Sequence, residues 1–176
     1  MIVQHQKEIV GYSITTNDAF QNCGKYIEEI YNKIKNEFKD LSKACYYFVC
    51  LEMFFNPKAP THKYKVLIAP NTDNLPQIQG LKISTIKGGK YATMIHKGPY
   101  VNIAPKYKQL TEEIKNSNLH ICGFPFEQYL NDPSIVKEED LETLIAFPVS
   151  NHNMIRTVVI GGVLIAAVAV AFKLMK

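Results

Sequence analysis

Arginine is almost absent from this chain: of 20 basic residues only Arg156 is not a lysine. Three of those cations (Arg156, Lys173, Lys176) lie in the last 21 positions, which leaves 17 lysines against 16 acidic residues in the rest. Neutralising several phosphates takes a basic stripe, and Arg is the best reader of base edges, so nucleic acid is not an expected partner. The four cysteines (Cys23, Cys45, Cys50, Cys122) form no CxxC pair and no Cys/His ligand spacing. They read as buried, reduced thiols, with no metal site. There is no GxSxG elbow, no phosphate-binding loop and no HExxH, so no cofactor is expected and the commonest hydrolase, nucleotide and zinc readings fall away. Nine Gly and nine Pro are too few for a disordered or collagen-like chain. No charged segment leads into an apolar run at the N-terminus, and no Asn-x-Ser/Thr acceptor occurs. Nothing points to secretion, and the folded part is expected to face the cytosol.

What is present is a globular composition, 47% hydrophobic and 20% charged over 176 residues, enough for one domain and a small appendage. The appendage is apolar. Residues 158–172 (VVIGGVLIAAVAVAF) carry no polar side chain, and with Thr157 they would span about 24 Å as a helix. That is short for a bilayer, but Arg156 and Lys173 can snorkel and Leu174 and Met175 extend the apolar edge. The expected division is a domain at 1–150, a linker at 151–156 and a transmembrane tail anchor at 157–175. Cations on both sides of a short span favour the mitochondrial outer membrane, with the endoplasmic reticulum as the alternative.

Residues 9–15 read as a strand, and Asn17 or Asp18 can cap a helix carrying Phe20, Cys23, Ile27, Ile30, Ile34 and Phe38 every three or four positions. Strands follow at 45–55 and 64–69, then within 81–96, with Gly88 and Gly89 as the turn. A second helix carries Ile103, Tyr107, Leu110 and Ile114, and strands at 126–130 and 141–149 complete the pattern. Strand, helix, strand, strand thus occurs twice, about 85 residues apart. The fold class is α+β: two β-α-β-β modules joined in one antiparallel sheet, both helices on one face, a concave surface on the other. A ligand groove is expected at the pseudo-twofold between the modules. His62 and His120 read as solvated loop residues, and His96 as a hydrogen-bonding residue of a turn. Residues 37–41 (EFKDL) spell an acidic-aromatic-x-x-Leu motif of the kind that binds Atg8 proteins.

HKGPY (96–100), the helix behind it, FEQYLNDP (126–133) and DLETLIAFPV (140–149) resemble the GyrI-like small-molecule-binding domain of gyrase-inhibitor proteins and multidrug-responsive regulators, related to SOUL haem-binding proteins. The resemblance implies an aromatic-lined cleft containing a glutamate, and some members hydrolyse strained electrophilic rings. It implies that Glu127 is the cleft acid. Tyr129, two residues on, projects from the same side of the strand. Tyr100 is expected beside them, and so is one of the adjacent pair Tyr47 and Phe48. Tyr47 is carried as the ligand-binding candidate, although strand alternation does not say which of the two faces the cleft. A carboxylate among aromatic rings should hold its proton more tightly, and could neutralise a cation or act as a general base. The expected function is a membrane-anchored module binding a small amphipathic or cationic molecule, or a protein partner, at an organelle surface. The alternatives are a detoxifying hydrolase using Glu127 and Tyr129, and an organelle-turnover adaptor.

Overall fold

Local sequence decides where helices form. In CGKYIEEIYNKI the apolar residues recur at three and four positions, and the helix they make buries Ile30 and Ile34 while Lys33 pairs with Glu29 at 2.8 Å on the outer side. Its entry is fixed by Asp18. That carboxylate accepts hydrogen bonds from the Ala19 amide (2.8 Å), the Asn22 amide group (2.9 Å) and the Tyr26 hydroxyl (2.8 Å). The second helix has a proline in its first turn, where the missing N–H costs nothing, and buries Leu110 and Ile114.

The computed structural model describes residues 1–52 and 59–151. In chain order the elements are β1 (Ile2–Gln6), β2 (Ile9–Asp18), α1 (Cys23–Ile34), β3 (Cys45–Cys50), β4 (His62–Ala69), β5 (Lys82–Ile86) and β6 (Gly89–Lys97). After these come α2 (Ala104–Lys115), β7 (Leu119–Ile121), β8 (Phe126–Tyr129) and β9 (Glu142–Asn151). Single 3-10 turns at Phe20–Asn22 and Tyr100–Asn102 lead into α1 and α2. The strands form an antiparallel sheet in the order β1-β6-β9-β8-β3-β4-β2-β5, with β7 on β9.

The two ends of that order are one ladder. β1 runs into β2 and β5 runs into β6, and the register Gln6↔Gly89 resumes without a slip as Ile9↔Ile86 beyond the bend at Lys7-Glu8 and Lys87-Gly88. The sheet therefore curls on itself. Inside the curl Ile9, Tyr47, Val49, Leu67, Ile86, Tyr91, Phe126 and Ala146 form one cluster, in which Phe126 meets the rings of Tyr47 and Tyr91 edge-on at 5.8 and 5.3 Å. Outside it, α1 packs on β2 and β4 and α2 on β6 and β7, each over its own cluster.

The duplicated module is present as strand-helix-strand-strand in β2-α1-β3-β4 and, with β7 interposed, in β6-α2-β8-β9. Matching the two turns (Phe20–Asn22, Tyr100–Asn102) and the buried pairs Ile30/Leu110 and Ile34/Ile114 sets the repeat at 80 residues in this region rather than about 85. Both helices lie on one face, as the pattern requires. The concave surface expected on the opposite face is filled around Phe126 by the aromatic cluster, and hollows of about 340 Å³ remain on that face beside Ile9, Tyr47 and Ala69 and beside Ile2, Thr93 and Leu144. β1 and β7 have no counterpart in the sequence reading, because the first is mostly exposed without apolar alternation and the second is three residues long. His62 and His120 are strand residues rather than loop residues. His62 is buried in β4 with its Nδ1 2.9 Å from Glu52 Oε2, and His120 in β7 bonds Ser150. The thiols are also less buried than expected: Cys122 is exposed and the other three are half-buried. Among the described residues no helix is long and apolar enough to cross a membrane; the expected anchor at 157–175 lies outside them, as do residues 53–55 of the strand expected at 45–55.

A side chain at Gly88 would collide with the partner strand, since a Cβ there would stand 2.9 Å from the Glu8 amide nitrogen and 3.2 Å from the Gln6 carbonyl oxygen. Both are backbone atoms of the bend and cannot rotate aside. Gly88→Ala is therefore expected to destabilise the fold by about 1–3 kcal/mol, read as a lower urea midpoint at unchanged slope.

Candidate functional site

Because α1 rests on β2 and β4 and α2 on β6 and β7, the central strands β3 and β8 form the floor between the helices. Residues paired across antiparallel strands share a face, and here Phe48 pairs with Glu127 and Tyr46 with Tyr129. Phe48 belongs to the cluster under α1, so Glu127 and Tyr129 face the helices. From α2, the Tyr107 hydroxyl donates to Glu127 Oε1 at 2.8 Å. Tyr129 lies beside the same carboxyl group and favours its ionised form, and 4.0 Å from the Tyr129 hydroxyl, at the first residue of α1, is the sulfur of Cys23. At the mouth Tyr100, 38% exposed, sets its ring 5.3 Å from that of Tyr129 at 60°.

Burial dominates the electrostatics. It pushes the Glu127 carboxyl up to about 7, against the opposing pull of the Tyr107 and Tyr129 hydroxyls, which favour the ionised form. Both phenols are held well above their ordinary range, first by burial and then by the Glu127 charge. The Cys23 thiol is pushed up by burial as well, and only partly relieved by its bond to Tyr129. Glu127 nevertheless keeps some contact with solvent. Glu127 is thus a carboxyl crowded by protein yet still reached by solvent, on the face of the sheet that carries the helices. Beside Tyr129 in register is Thr143 of β9, fully buried, whose hydroxyl has no hydrogen-bond partner.

The repeat explains how the cleft is polarised. In matching positions Phe20 and Ile27 of the first module correspond to Tyr100 and Tyr107 of the second, and by the ladders Phe48↔Val66 and Glu127↔Ile145, Phe48 corresponds to Glu127 and Cys50 to Tyr129. Phe48 and Glu127 are also direct partners, so the pseudo-twofold passes between them. One half of the cleft is apolar and the other half carries three phenols and a carboxyl.

Of the four residues singled out from sequence, Glu127, Tyr129 and Tyr100 are brought together. Tyr47 is not: Phe48, its neighbour, takes the cleft face, while Tyr47 lies in the aromatic cluster inside the curl and borders a separate hollow of about 340 Å³ with Glu8, Lys43 and Asp73. Tyr107, Cys23 and Thr143 are additions. The signal for Tyr107 was a phenol on the sheet-facing stripe of a helix, where a buried hydroxyl must find an acceptor. His96 donates from Nε2 to the Pro99 carbonyl at 2.9 Å and shapes the turn below Tyr100. Phe38 of the EFKDL motif is half-buried with its ring edge-on to Tyr12 at 5.9 Å. Among the described residues no group of three His, Cys, Asp or Glu side chains is placed to hold a metal ion.

A family model for the GyrI-like small-molecule-binding domain matches residues 3–150. No curated protein matches the chain in sequence. Among solved structures it is similar to the EcmrR C-terminal domain (19% identity, TM-score 0.74, covering 85% of this chain and 96% of that one). It is also similar to a hydrolase from Listeria innocua (14%, 0.63, 85% and 91%), and to SAV2435 bound to tetraphenylphosphonium (16%, 0.51, 85% and 93%). At such identities the likeness is one of fold.

Raising Glu127 from 4.5 to about 7 makes ionisation in the folded state cost about 3 kcal/mol. The unfolded chain releases its proton near 4.5, so the cost is absent below that pH, grows as pH rises, and is complete above 7. Denaturation of the wild type and Glu127→Gln across pH 4–8 should therefore show the variant gaining on the wild type by about 3 kcal/mol over this window, with Gln still accepting from Tyr107.

Proposed function

This chain belongs to the GyrI-like small-molecule-binding family, and from that premise we propose that the cleft between its helices binds an amphipathic molecule carrying a positive charge and a flat apolar face. The single observation that carries the reading is Glu127: a carboxyl held near neutrality of pH by burial, with two phenols arranged around it and an apolar wall opposite. An isolated buried carboxylate is costly, and a cation seated over it supplies the missing partner. Phe48 and the ring of Tyr100 offer faces for an aromatic cation. The complex of SAV2435 with tetraphenylphosphonium supports this choice of ligand class. A protein partner in place of a small molecule has less in its favour, because the acid lies between helices rather than on an outer surface.

The same carboxyl could serve as a general base on water, since its proton affinity is matched to neutral pH, and the likeness to a hydrolase makes hydrolysis of an electrophile the second reading. In that case Glu127 takes the proton of the attacking water and Tyr129 or Tyr100 steers the electrophile. The adaptor reading draws no support from Phe38, whose ring is engaged with Tyr12.

We place the domain at the cytosolic face of a membrane, held by residues 157–175. What supports this is the uninterrupted apolar run and its flanking cations. The charge balance of the rest supports a small-molecule site over a nucleic-acid site.

Two measurements test these readings. Tetraphenylphosphonium should bind the full chain more tightly at pH 8 than at pH 5.5, because a cation prefers the ionised Glu127, and Glu127→Gln should remove that pH dependence and weaken binding at pH 8 by roughly tenfold or more; equal affinity in both proteins at both pH values refutes the counter-charge role. In cells, the full chain should stay in the membrane pellet after alkaline carbonate extraction and a chain lacking residues 155–176 should be released. If both are released, the anchor is refuted.

A further inference from the structure

Cys23 takes no part in the binding role just described, yet it is placed at the one point where a nucleophile would be useful. It is the first residue of α1, whose preceding residue Asn22 makes no side-chain cap to the helix. The Cys23 and Gly24 amides favour the thiolate, by less than burial opposes it. Its Sγ is 4.0 Å from the Tyr129 hydroxyl, and Tyr129 lies close enough to the Glu127 carboxyl to favour its ionised form. A thiol, a phenol and a carboxyl therefore stand in a row, the last able to accept a proton that the middle one relays. An independent sign that the floor is built to meet a polar atom is Thr143, register partner of Tyr129, fully buried with an unpartnered hydroxyl on the same face.

The geometry points to covalent capture: an electrophilic carbon carried on a lipophilic, cationic scaffold is alkylated onto Cys23, with Glu127 as base acting through Tyr129. This rests on the small-molecule reading of the same cleft. In the step, a sulfur lone pair forms the C–S bond while the carbon–leaving-group bond, or one bond of a strained ring, breaks and its electron pair departs with the leaving atom. The thiol proton passes to the Tyr129 oxygen as the Tyr129 proton passes to Glu127. No oxidant or cofactor enters. The thiol is protonated at rest, because burial raises it, so the reaction depends on the base rather than on a standing thiolate. The groups facing Glu127 are Tyr107 from α2, Tyr129 on its own strand, Cys23 from α1, Cys50 from β3 and Tyr100 from the turn. None is a cation, and burial holds the Glu127 carboxyl up at about 7.

The test is site-resolved alkylation of the purified full chain, followed by peptide mass spectrometry, with an iodobutyl triphenylphosphonium salt as probe and exposed Cys122 as the internal reference. Iodoacetamide, which has no scaffold, should favour Cys122. The phosphonium probe should reverse that order, label Cys23 faster as pH rises through 7, and be blocked there by excess tetraphenylphosphonium. Glu127→Gln and Tyr129→Phe should each slow Cys23 by on the order of a hundredfold and leave Cys122 unchanged. Labelling of Cys122 alone, or a Cys23 rate indifferent to both variants, overturns the proposal. If tetraphenylphosphonium binds the wild type and Cys23→Ser equally while Cys23 is never alkylated, capture fails and the binding reading stands. A neutral probe, N-phenyl iodoacetamide, run in parallel covers the reverse case: base-dependent alkylation of Cys23 by that probe alone keeps capture and removes the preference for cations.

Discussion

The constraint on which the rest depends is the single antiparallel ladder between the first strands of the two modules. Because Gln6↔Gly89 and Ile9↔Ile86 lie in one register, the pair that closes one end of the sheet is continuous with the pair that closes the other. The sheet has to curl, and near the pseudo-twofold its inner face is filled by its own side chains. Tyr47, Tyr91 and Phe126 fill it. Beside the pseudo-twofold the polar groups are therefore carried on the other face, where Glu127 and Tyr129 stand between α1 and α2. Fold and site are thus linked through packing: at the axis one face is apolar and packed, and the other carries the carboxyl and its phenols.

On that second face the energetics run the other way. A core gains by burying apolar surface, whereas the floor of this cleft holds a carboxyl whose ionisation burial disfavours, two phenols that satisfy it, and a hydroxyl that is not satisfied at all. Such an arrangement lowers stability and is tolerated where a ligand or a reaction repays it. The helices supply the polar contacts from opposite sides, Tyr107 from one and Cys23 from the other, so the chemistry of the site is sensitive to how the two helices stand over the sheet.

Much of this was legible before any coordinates. Apolar spacing gave both helices, period-two runs gave most strands, and their repetition gave the duplication. That Glu127 and Tyr129 share a face follows from strand alternation, and the expectation that they serve a ligand comes from the resemblance. What could not be read were the quantities set by long-range geometry. Alternation places Tyr47 and Phe48 on opposite faces but carries no absolute direction; only the pairing of β3 with β8 decides that Phe48 joins Glu127. The face on which the site lies depends on a ladder between residues some 80 positions apart, and local pattern is silent about it. Tyr107 sat in plain view on the stripe of α2, but its hydroxyl gains meaning only when Glu127 is brought to within 2.8 Å.

The placement of Glu127 and Phe48 as one another's repeat mates, facing each other across the axis, has an evolutionary corollary. Had this architecture been assembled from two identical subunits, the position would have to be glutamate on both or phenylalanine on both. Two buried carboxylates directly opposite on neighbouring strands repel, and two phenylalanines leave no acid. A solitary anion on a dyad therefore requires the two halves to differ in sequence, and the tandem repeat supplies that difference within one polypeptide, giving the site a fixed handedness.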